Sequence, residues 1–430
     1  MSLPRYPAYK DSGVAWLGEV PGHWGIAPFY SVASEREEPN TGMQESNLLS
    51  LSYGRIVQKD INSNDGLLPE SFETYQVVRP GDIVFRLTDL QNDKRSLRTA
   101  IVEDTGIITS AYVAAKPISI EPRYLSQLLR AYDVTKVFYS MGGGLRQSMK
   151  FSDLKRLPTL LPPPEEQSAI AAFLDRETET IDALVAEQEK LIVLLKEKRQ
   201  AVISHAVTKG LNPAAPMKDS GIEWLGEVPE HWEVKPVKAV ASCNDEILEE
   251  STPEDYEIEY IEISGVDANR GIASTEVIPF GVAPSRARRR VSDGDVLVST
   301  VRTYLRAIAP VSKPPENMIA STGFAVIRPR HVASHFLGYL FQAEFLISEV
   351  IAYSVGVSYP AINSSDLMRL KVPVPPSDEQ TAIAAFLDRE TAKLDALTAE
   401  AQRGIELLKE RRSVLIAAAV TGKVDVRAFV

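Results

Sequence analysis

A 47-residue stretch occurs twice in this chain, and any fold has to accommodate both copies. Residues 165 to 211 read EEQSAIAAFLDRETETIDALVAEQEKLIVLLKEKRQAVISHAVTKGL, and residues 378 to 424 repeat 27 of those 47 positions unchanged. Proline-rich hinges precede both copies, LLPPP at 160 to 164 and VPVPP at 372 to 376. A residue before proline is pushed out of the helical region, so each hinge ends one element and releases a new helix. Within the copies the apolar residues fall at alternating steps of three and four. The first series is Ile170, Leu174, Ile181, Leu184, Leu191, Leu195, Val202, and the second is Ile383, Leu387, Leu394, Leu397, Leu408, Leu415. That spacing is a heptad seam. A continuous helix from 166 to 203 would run roughly 55 to 60 Å at 1.5 Å per residue, too long for a small domain to enclose, so the two seams are expected to pack on each other. Glu177 and Lys198 interrupt the first seam, and Glu390 and Arg411 the second. Antiparallel packing sets Glu177 toward Arg411 and Lys198 toward Glu390, whereas parallel packing sets like charges together. Antiparallel packing is therefore expected, with the second seam thinner at Ala401 and Gly404.

The opening of the chain is repeated as well. YKDSGVAWLGEVPGHW at 9 to 24 returns as MKDSGIEWLGEVPEHW at 217 to 232, so the whole half-chain is a tandem duplication. Its Trp, Gly and Pro pattern reads as an irregular segment anchored on a domain surface by Trp16 and Trp24, or Trp224 and Trp232. Between opening and hinge the halves diverge but keep one plan. GDIVFRLTD at 81 to 89 and GDVLVSTVR at 294 to 302 each read as a turn and a buried strand. YVAAKP and FAVIRP follow as strands, and 122 to 140 and 334 to 354 as helices. The expected fold class is α+β: two globular domains, 1–164 and 212–377, each followed by a long helix (165–211 and 378–430, the latter with a tail), the two helices forming an antiparallel coiled coil.

With 430 residues, 44% of them hydrophobic, the chain can build several cores. Its single cysteine, Cys243, excludes a disulfide framework and suits a reducing compartment. No apolar run reaches the length of a membrane span, and the expected location is the cytoplasm. The net charge of −11 alone argues against nucleic acid, but its distribution weakens that argument. Residues 1 to 164 carry 18 acidic and 18 basic side chains, and nine carboxylates crowd into 245 to 262, where they would repel phosphate and should face away from it or toward a partner.

The motifs KDSGVAWLGEVPGHW, LPPPEEQSAIAAFLDRETETIDAL and LLKEKRQAVISHAVTKG, with their second copies, resemble the specificity subunit of type I restriction-modification enzymes over nearly the whole chain. The resemblance implies a non-catalytic, sequence-specific DNA-binding subunit. Each of its target-recognition domains would read one half of a split asymmetric site on double-stranded DNA. The conserved helices would set the gap between the halves and dock methyltransferase subunits. It further implies restriction subunits as partners, with S-adenosylmethionine, magnesium and ATP bound by the partners and no cofactor on this chain.

The residues agree. No G-x-x-x-x-G-K-[ST] loop is present, and Gly142, Gly143 and Gly144 lack the spacing of a dinucleotide loop. His331 and His335 stand four apart without a third ligand beside them, so no metal is expected. DNA reading needs Arg and Lys for phosphates and Arg, Asn, Gln or Lys for base edges. Two loops per half concentrate such residues. In the first half they are Arg86, Gln91, Asn92, Lys94, Arg95, Arg98, then Arg146, Gln147, Lys150. In the second they are Arg286, Arg288, Arg289, Arg290, Arg302, Tyr304, Arg306, then Tyr359 and Asn363. Two other classes stand against this reading. A self-sufficient enzyme would need a cofactor loop or carboxylate cluster, and a coiled-coil scaffold for proteins alone would need no paired basic loops.

Overall fold

The computed structural model describes residues 3–429 apart from 62–68, 70, 89, 91–96, 142–147 and 268–269. The chain separates into two compact units, Met1–Gln188 with Arg403–Val430, and Glu189–Gln402. Each unit holds one α+β domain and a part of two long helices, Pro164–Lys209 and Ser377–Val420.

Both domains are built on the same pair of four-stranded sheets. In the first unit one sheet has the order Ala33–Glu35, Val113–Pro117, Ile83–Phe85, Thr99–Ile101, all antiparallel. The other runs Arg55–Lys59, Leu48–Ser52, Gly106–Ile108, Gln76–Val78, with Leu48 set parallel to Ile107. The second unit repeats the first order with Ala241–Cys243, Phe324–Pro329, Val296–Ser299, Ile308–Pro310. It repeats the second with Glu276–Pro279, Glu257–Ile261, Met318–Ser321, Ala287–Arg290, again with one parallel pair. The strands after the two Gly-Asp turns are central and wholly buried, which is why IVF and VLVS are unbroken apolar runs without alternation. Helix Pro122–Val134 follows, with Pro122 at its first position and the Glu121 carboxylate capping the Arg123 and Tyr124 N–H groups. Its counterpart in the second domain was expected as one helix over 334 to 354 and is two, Ser334–Gln342 and Glu344–Ala352. The break is at Ala343, which is extended, while the Glu344 N–H is taken by the Ser204 hydroxyl at 3.0 Å.

The long helices pack antiparallel, as contacts inside each unit establish. In the first unit Ile170 and Leu174, near the start of one helix, share a core with Ile416, Ala419 and Val420 at the end of the other. In the second unit Ile203, Ala206 and Val207 join Ile383 and Leu387. One ion pair is duplicated along with the sequence: Asp182 lies 3.4 Å from Arg412, and Asp395 lies 3.0 Å from Arg199. These pairs, rather than the expected Glu177 with Arg411, carry the charge complementarity, and Glu177 sits 3.7 Å from Arg176 instead. Lys198 does lie near enough to Glu390 to help hold its carboxyl below the usual range, behind the larger effect of a hydrogen bond from Lys393. The seam also shifts by one residue at mid-helix. Leu184, Leu191 and Leu397, expected in it, are 47%, 41% and 48% exposed. Their places are taken by Val185, Gln188 and Ile192 on one helix and Thr398, Ala401 and Ile405 on the other, all buried or half-buried. The remaining seam positions Ile170, Leu174, Ile181, Leu195, Ile383, Leu387 and Leu394 are buried, and Leu408 and Leu415 half-buried.

Each domain is fastened to its helix by a socket that occurs in both units. Glu166 accepts hydrogen bonds from Trp24 Nε1 at 3.0 Å and the Tyr6 hydroxyl at 3.2 Å, and lies 2.7 Å from His23 Nε2. Burial, reinforced by the Glu166 charge, pushes the Tyr6 hydroxyl well above its ordinary value. Glu379 accepts from Trp232 Nε1 at 2.9 Å and lies 2.6 Å from His231 Nε2. The next residue completes the socket. Gln167 accepts the Glu121 N–H at 2.8 Å and donates to the Pro162 carbonyl at 2.9 Å, and Gln380 does the same with Ala333 and Pro375 at 2.7 and 2.8 Å. Trp24 and Trp232 are the fully buried anchors expected of the opening motif. Trp16 and Trp224 are half-exposed; Trp16 sits edge-on to Tyr132, and Trp224 Nε1 donates to Glu349 at 2.6 Å.

Glycines with left-handed backbone follow the two helices, Gly210 at φ 76° and Gly422 at φ 68°. A Cβ on Gly422 would strike the Pro21 ring, whereas one on Gly210 would sit 3.2 Å from Trp232. Gly422→Ala is therefore expected to cost about 1–3 kcal/mol, from left-handed strain plus overpacking, and more than Gly210→Ala. Urea titration of the two variants checks this, and equal losses would contradict the tighter packing around Gly422.

Candidate nucleic-acid interface

The basic loops start where the buried Gly-Asp strands end, and the Gly-Asp turn itself is an electrostatic lock. Asp295 is fully buried, accepts the Ser292 N–H at 2.8 Å and takes both Nε and Nη2 of Arg328, at 2.9 and 3.0 Å. Asp82 does the same with the Arg79 N–H at 2.9 Å and with Arg36 at 2.9 and 3.0 Å. Hydrogen bonds that it donates to Asp295 and Glu246, acting against burial, hold the Arg328 guanidinium well above its usual value. A bidentate pair of this kind fixes the direction in which the strand leaves the turn.

Beyond the strand, the two expected loops of each half meet. Met149 N–H donates to the Leu87 carbonyl at 2.9 Å in the first unit, and Ile362 N–H to the Thr300 carbonyl at 2.9 Å in the second. The second bond is the first displaced by 213 positions at both ends, so the junction survives although the loops around it share few residues.

The second unit shows the loop pair in full. Arg302 and Arg306 are both left-handed, at φ 51° and 54°, and flank the short turn Thr303–Leu305. Arg302 donates its N–H to the Pro360 carbonyl at 2.7 Å and stacks its guanidinium over the Tyr359 ring at 4.8 Å. Thr303 and Ser354 hydroxyls join at 2.8 Å. Tyr304 and Tyr359 stay 52% and 64% exposed, and Asn363 is exposed beside them. Arg306 belongs elsewhere, in a two-bond pair with Glu344 at 2.8 Å each. Arg286 pairs with Glu262 and with the Tyr260 hydroxyl, Arg288 stacks on Phe280 at 4.8 Å, and Arg289 and Arg290 are half-buried on strand Ala287–Arg290. Within the acidic run, Asp245 and Glu246 pair with Arg330 and Arg328, both at 2.5 Å.

In the first unit Arg86 is half-buried and Lys150 exposed. Gln91, Asn92, Lys94, Arg95, Arg146 and Gln147 lie outside the described residues. Arg98 does not belong to a surface at all: it is 0% exposed, donates to the Thr88 carbonyl at 2.9 Å and lies over the Tyr139 ring at 5.8 Å. An arginine inside an otherwise basic stretch is indistinguishable by sequence from its neighbours, and here it braces the loop from within. The sequence reading missed the Asp82 and Asp295 locks and the Glu166 and Glu379 sockets. The only trace of these was that GD, HW and EQ dipeptides recur at matching offsets.

His335 Nδ1 lies 3.3 Å from Asp388, and Cys243 is a half-buried thiol pushed up by burial. No group of three metal-binding side chains occurs among the described residues, and no helix among them is long and apolar enough to cross a membrane.

Each unit thus carries an α+β domain of the same plan with its own loops, socketed onto a long helix. A family profile for the type I restriction modification DNA specificity domain matches residues 229–407. The chain is similar to a putative type I restriction enzyme MjaX specificity subunit from Methanocaldococcus jannaschii, at 23% identity over 96% of each protein. It is also similar to the EcoDI specificity subunit of Escherichia coli, at 23% identity over 72% of this chain and 71% of that one. Its fold matches a chain from a solved type I R-M system with a TM-score of 0.66, at 18% identity over 93% of this chain and 98% of that one. It matches the HsdS subunit from Thermoanaerobacter tengcongensis with a TM-score of 0.50, at 18% identity over 96% of this chain and 100% of that one. In sequence and in fold the chain is thus similar to HsdS, the specificity subunit of type I restriction-modification systems.

Proposed function

We propose that this chain is the non-catalytic DNA-reading subunit of a type I restriction-modification complex, each domain reading one half of a split asymmetric site on double-stranded DNA. The observation that carries the reading is the paired loop junction, Leu87 with Met149 and Thr300 with Ile362, kept at equivalent places under divergent sequences. A binding surface built twice with different side chains suits two different half-sites. Arg302 stacked on Tyr359, with Tyr304 and Asn363 beside it, offers a cation for phosphate and exposed rings and an amide for bases. Arg86 and Lys150 are the described counterparts in the first domain, and the six residues outside the described set stay candidates. Arg286, Arg288, Arg289 and Arg290 are assigned to phosphate positioning, and Arg306 to bracing Glu344.

The paired helices set the gap and dock methyltransferase subunits. Leu184, Leu407 and Val414 in the first unit and Leu191, Val193, Leu194 and Leu397 in the second are apolar and exposed, a composition that favours a protein partner. Methyltransferase and restriction subunits would bring S-adenosylmethionine, magnesium and ATP, and the net acidic chain would bind DNA tightly only with the methyltransferase subunits enclosing the duplex.

Methylome sequencing of cells expressing this chain with its cognate methyltransferase subunit tests the reading. Methylated adenines in a split motif, absent without this chain, are the expected result. No new motif from a folded, associated pair would leave a protein scaffold as the better account. In the same assay Arg302→Ala with Tyr359→Ala is expected to weaken recognition about tenfold or more, from the ~1–3 kcal/mol that one aromatic contact contributes. Unchanged methylation at both half-sites would remove this loop from the interface.

A further inference from the structure

The duplication makes it possible to ask where one repeat carries a charge that the other lacks. Arg412 and Arg199 are equivalent, and each faces its duplicated aspartate, Asp182 or Asp395. Position 130 and its equivalent 342 are not alike: the first is arginine and the second glutamine. In the first unit Arg130 and Arg412 therefore line the same small cavity of about 70 Å³, walled by Leu97, Val134 and Ile416. The equivalent place in the second unit, between Arg199 and Gln342, is an open space of about 420 Å³.

Both guanidiniums around the small cavity are short of partners. The Nε atoms of Arg130 and of Arg412 are buried and make no hydrogen bond. Arg412 Nε lies 3.4 Å from Asp182 Oδ1 but out of hydrogen-bond geometry. Arg130 spends its Nη2 on backbone, at the carbonyls of Gly54 and, at 3.4 Å, Thr99. Asp182 is already shared with Arg55, 3.1 Å away. Asp133, the other carboxylate near Arg130, accepts the Arg98 N–H. Burial first, and then the like charge of Arg412, pull Arg130 down to about 10, which still leaves it protonated at neutral pH.

We propose that this cavity is a site for a halide-sized monovalent anion, chloride in the cell, held between the Nε–H groups of Arg130 and Arg412. The volume decides the ligand class. About 70 Å³ holds a halide ion or roughly two waters at ~30 Å³ each and is too small for a DNA phosphodiester with its sugars. Two waters would satisfy the N–H groups but leave three guanidiniums, those of Arg130, Arg412 and Arg55, against only two carboxylates, Asp182 and Asp133. An anion satisfies the N–H groups and balances the charge. It ties helix Pro122–Val134 of the first domain to the last turns of helix Ser377–Val420, a tie that the second repeat, with Gln342, does without.

The test is thermal unfolding of the full chain at fixed ionic strength with chloride exchanged for gluconate, which is too large for the cavity. The wild type is expected to melt about 2–4 °C higher in chloride. Arg130→Gln, which installs the residue of the second repeat, is expected to erase that difference. No difference in the wild type, or the same difference in the variant, overturns the proposal. Crystals of the wild type grown in bromide give a readout that needs no variant. An anomalous peak between the two Nε atoms supports the site, and ordered water alone at that place overturns it.

Discussion

Alanine at Asp295 is expected to destabilise the second unit by about 3 kcal/mol, the cost of taking from a half-buried cation its one fully buried carboxylate partner. Asp295 is completely buried, and it holds the Gly-Asp turn through the Ser292 N–H and the strand beside it through two bonds to Arg328. Removal leaves Arg328 with Glu246, which is half-exposed, and with the Ser292 hydroxyl at 2.9 Å. Urea-induced unfolding reads the loss. A deficit under about 1 kcal/mol would mean that Arg328 reaches water and that the lock is not structural. A second variant separates charge burial from packing. Asp295→Leu combined with Arg328→Met removes both charges and is expected to recover most of the stability, because an apolar pair of similar volume avoids the desolvation cost.

The other large effect concerns spacing. Lengthening both long helices by one heptad, between 188 and 189 and between 402 and 403, adds seven residues to each partner and keeps the duplicated Asp-Arg pairs in register. Seven residues add roughly 10.5 Å, or about three base pairs at 3.4 Å each. The methylated motif is then expected to keep its two half-sites and widen its gap by about three base pairs. An unchanged gap with intact half-sites would remove the helices as the ruler. A heptad added to one helix alone puts Asp182 out of step with Arg412, or Asp395 with Arg199, and is expected to lower stability rather than move the gap.

Much of the scaffold was legible because it is written twice. Two copies of a helix with matching breaks at proline fix the number of elements, and charge polarity along the seam gives antiparallel packing before any coordinate is known. The register was harder. Leu184 and Leu191 look like seam residues because leucine is the usual occupant, yet they are exposed, and Val185, Gln188 and Ile192 are the half-buried positions. A seam containing glutamine, threonine and alanine has a weak periodic signal, and a one-residue shift costs little in pattern. The helix break at Ala343 was invisible for a different reason. Alanine is the best helix former, and only the tertiary bond from Glu344 N–H to Ser204 shows why the helix stops.

Within the candidate interface, the sequence located the loops but not the role of each arginine. Arg98 and Arg302 both sit in basic stretches after a Gly-Asp strand. One is buried under backbone carbonyls, and the other stacks on an exposed tyrosine. The difference depends on distant partners, Tyr139 and Tyr359, whose proximity no local pattern encodes.

The tryptophan and histidine contacts of Glu166 and both bonds of Gln167 are repeated at Glu379 and Gln380, and the segments that plug into the socket, GHW and EHW, are nearly the same. A gene segment running from one opening motif to the next hinge therefore encodes a part with standard fittings at both ends. Unequal crossing-over or transfer from a related gene would deliver a foreign domain, flanked by the same repeated segments, onto a mount that already fits it. Change in what the protein reads can then come in whole blocks, with selection acting on the exchanged loops and leaving the mount untouched.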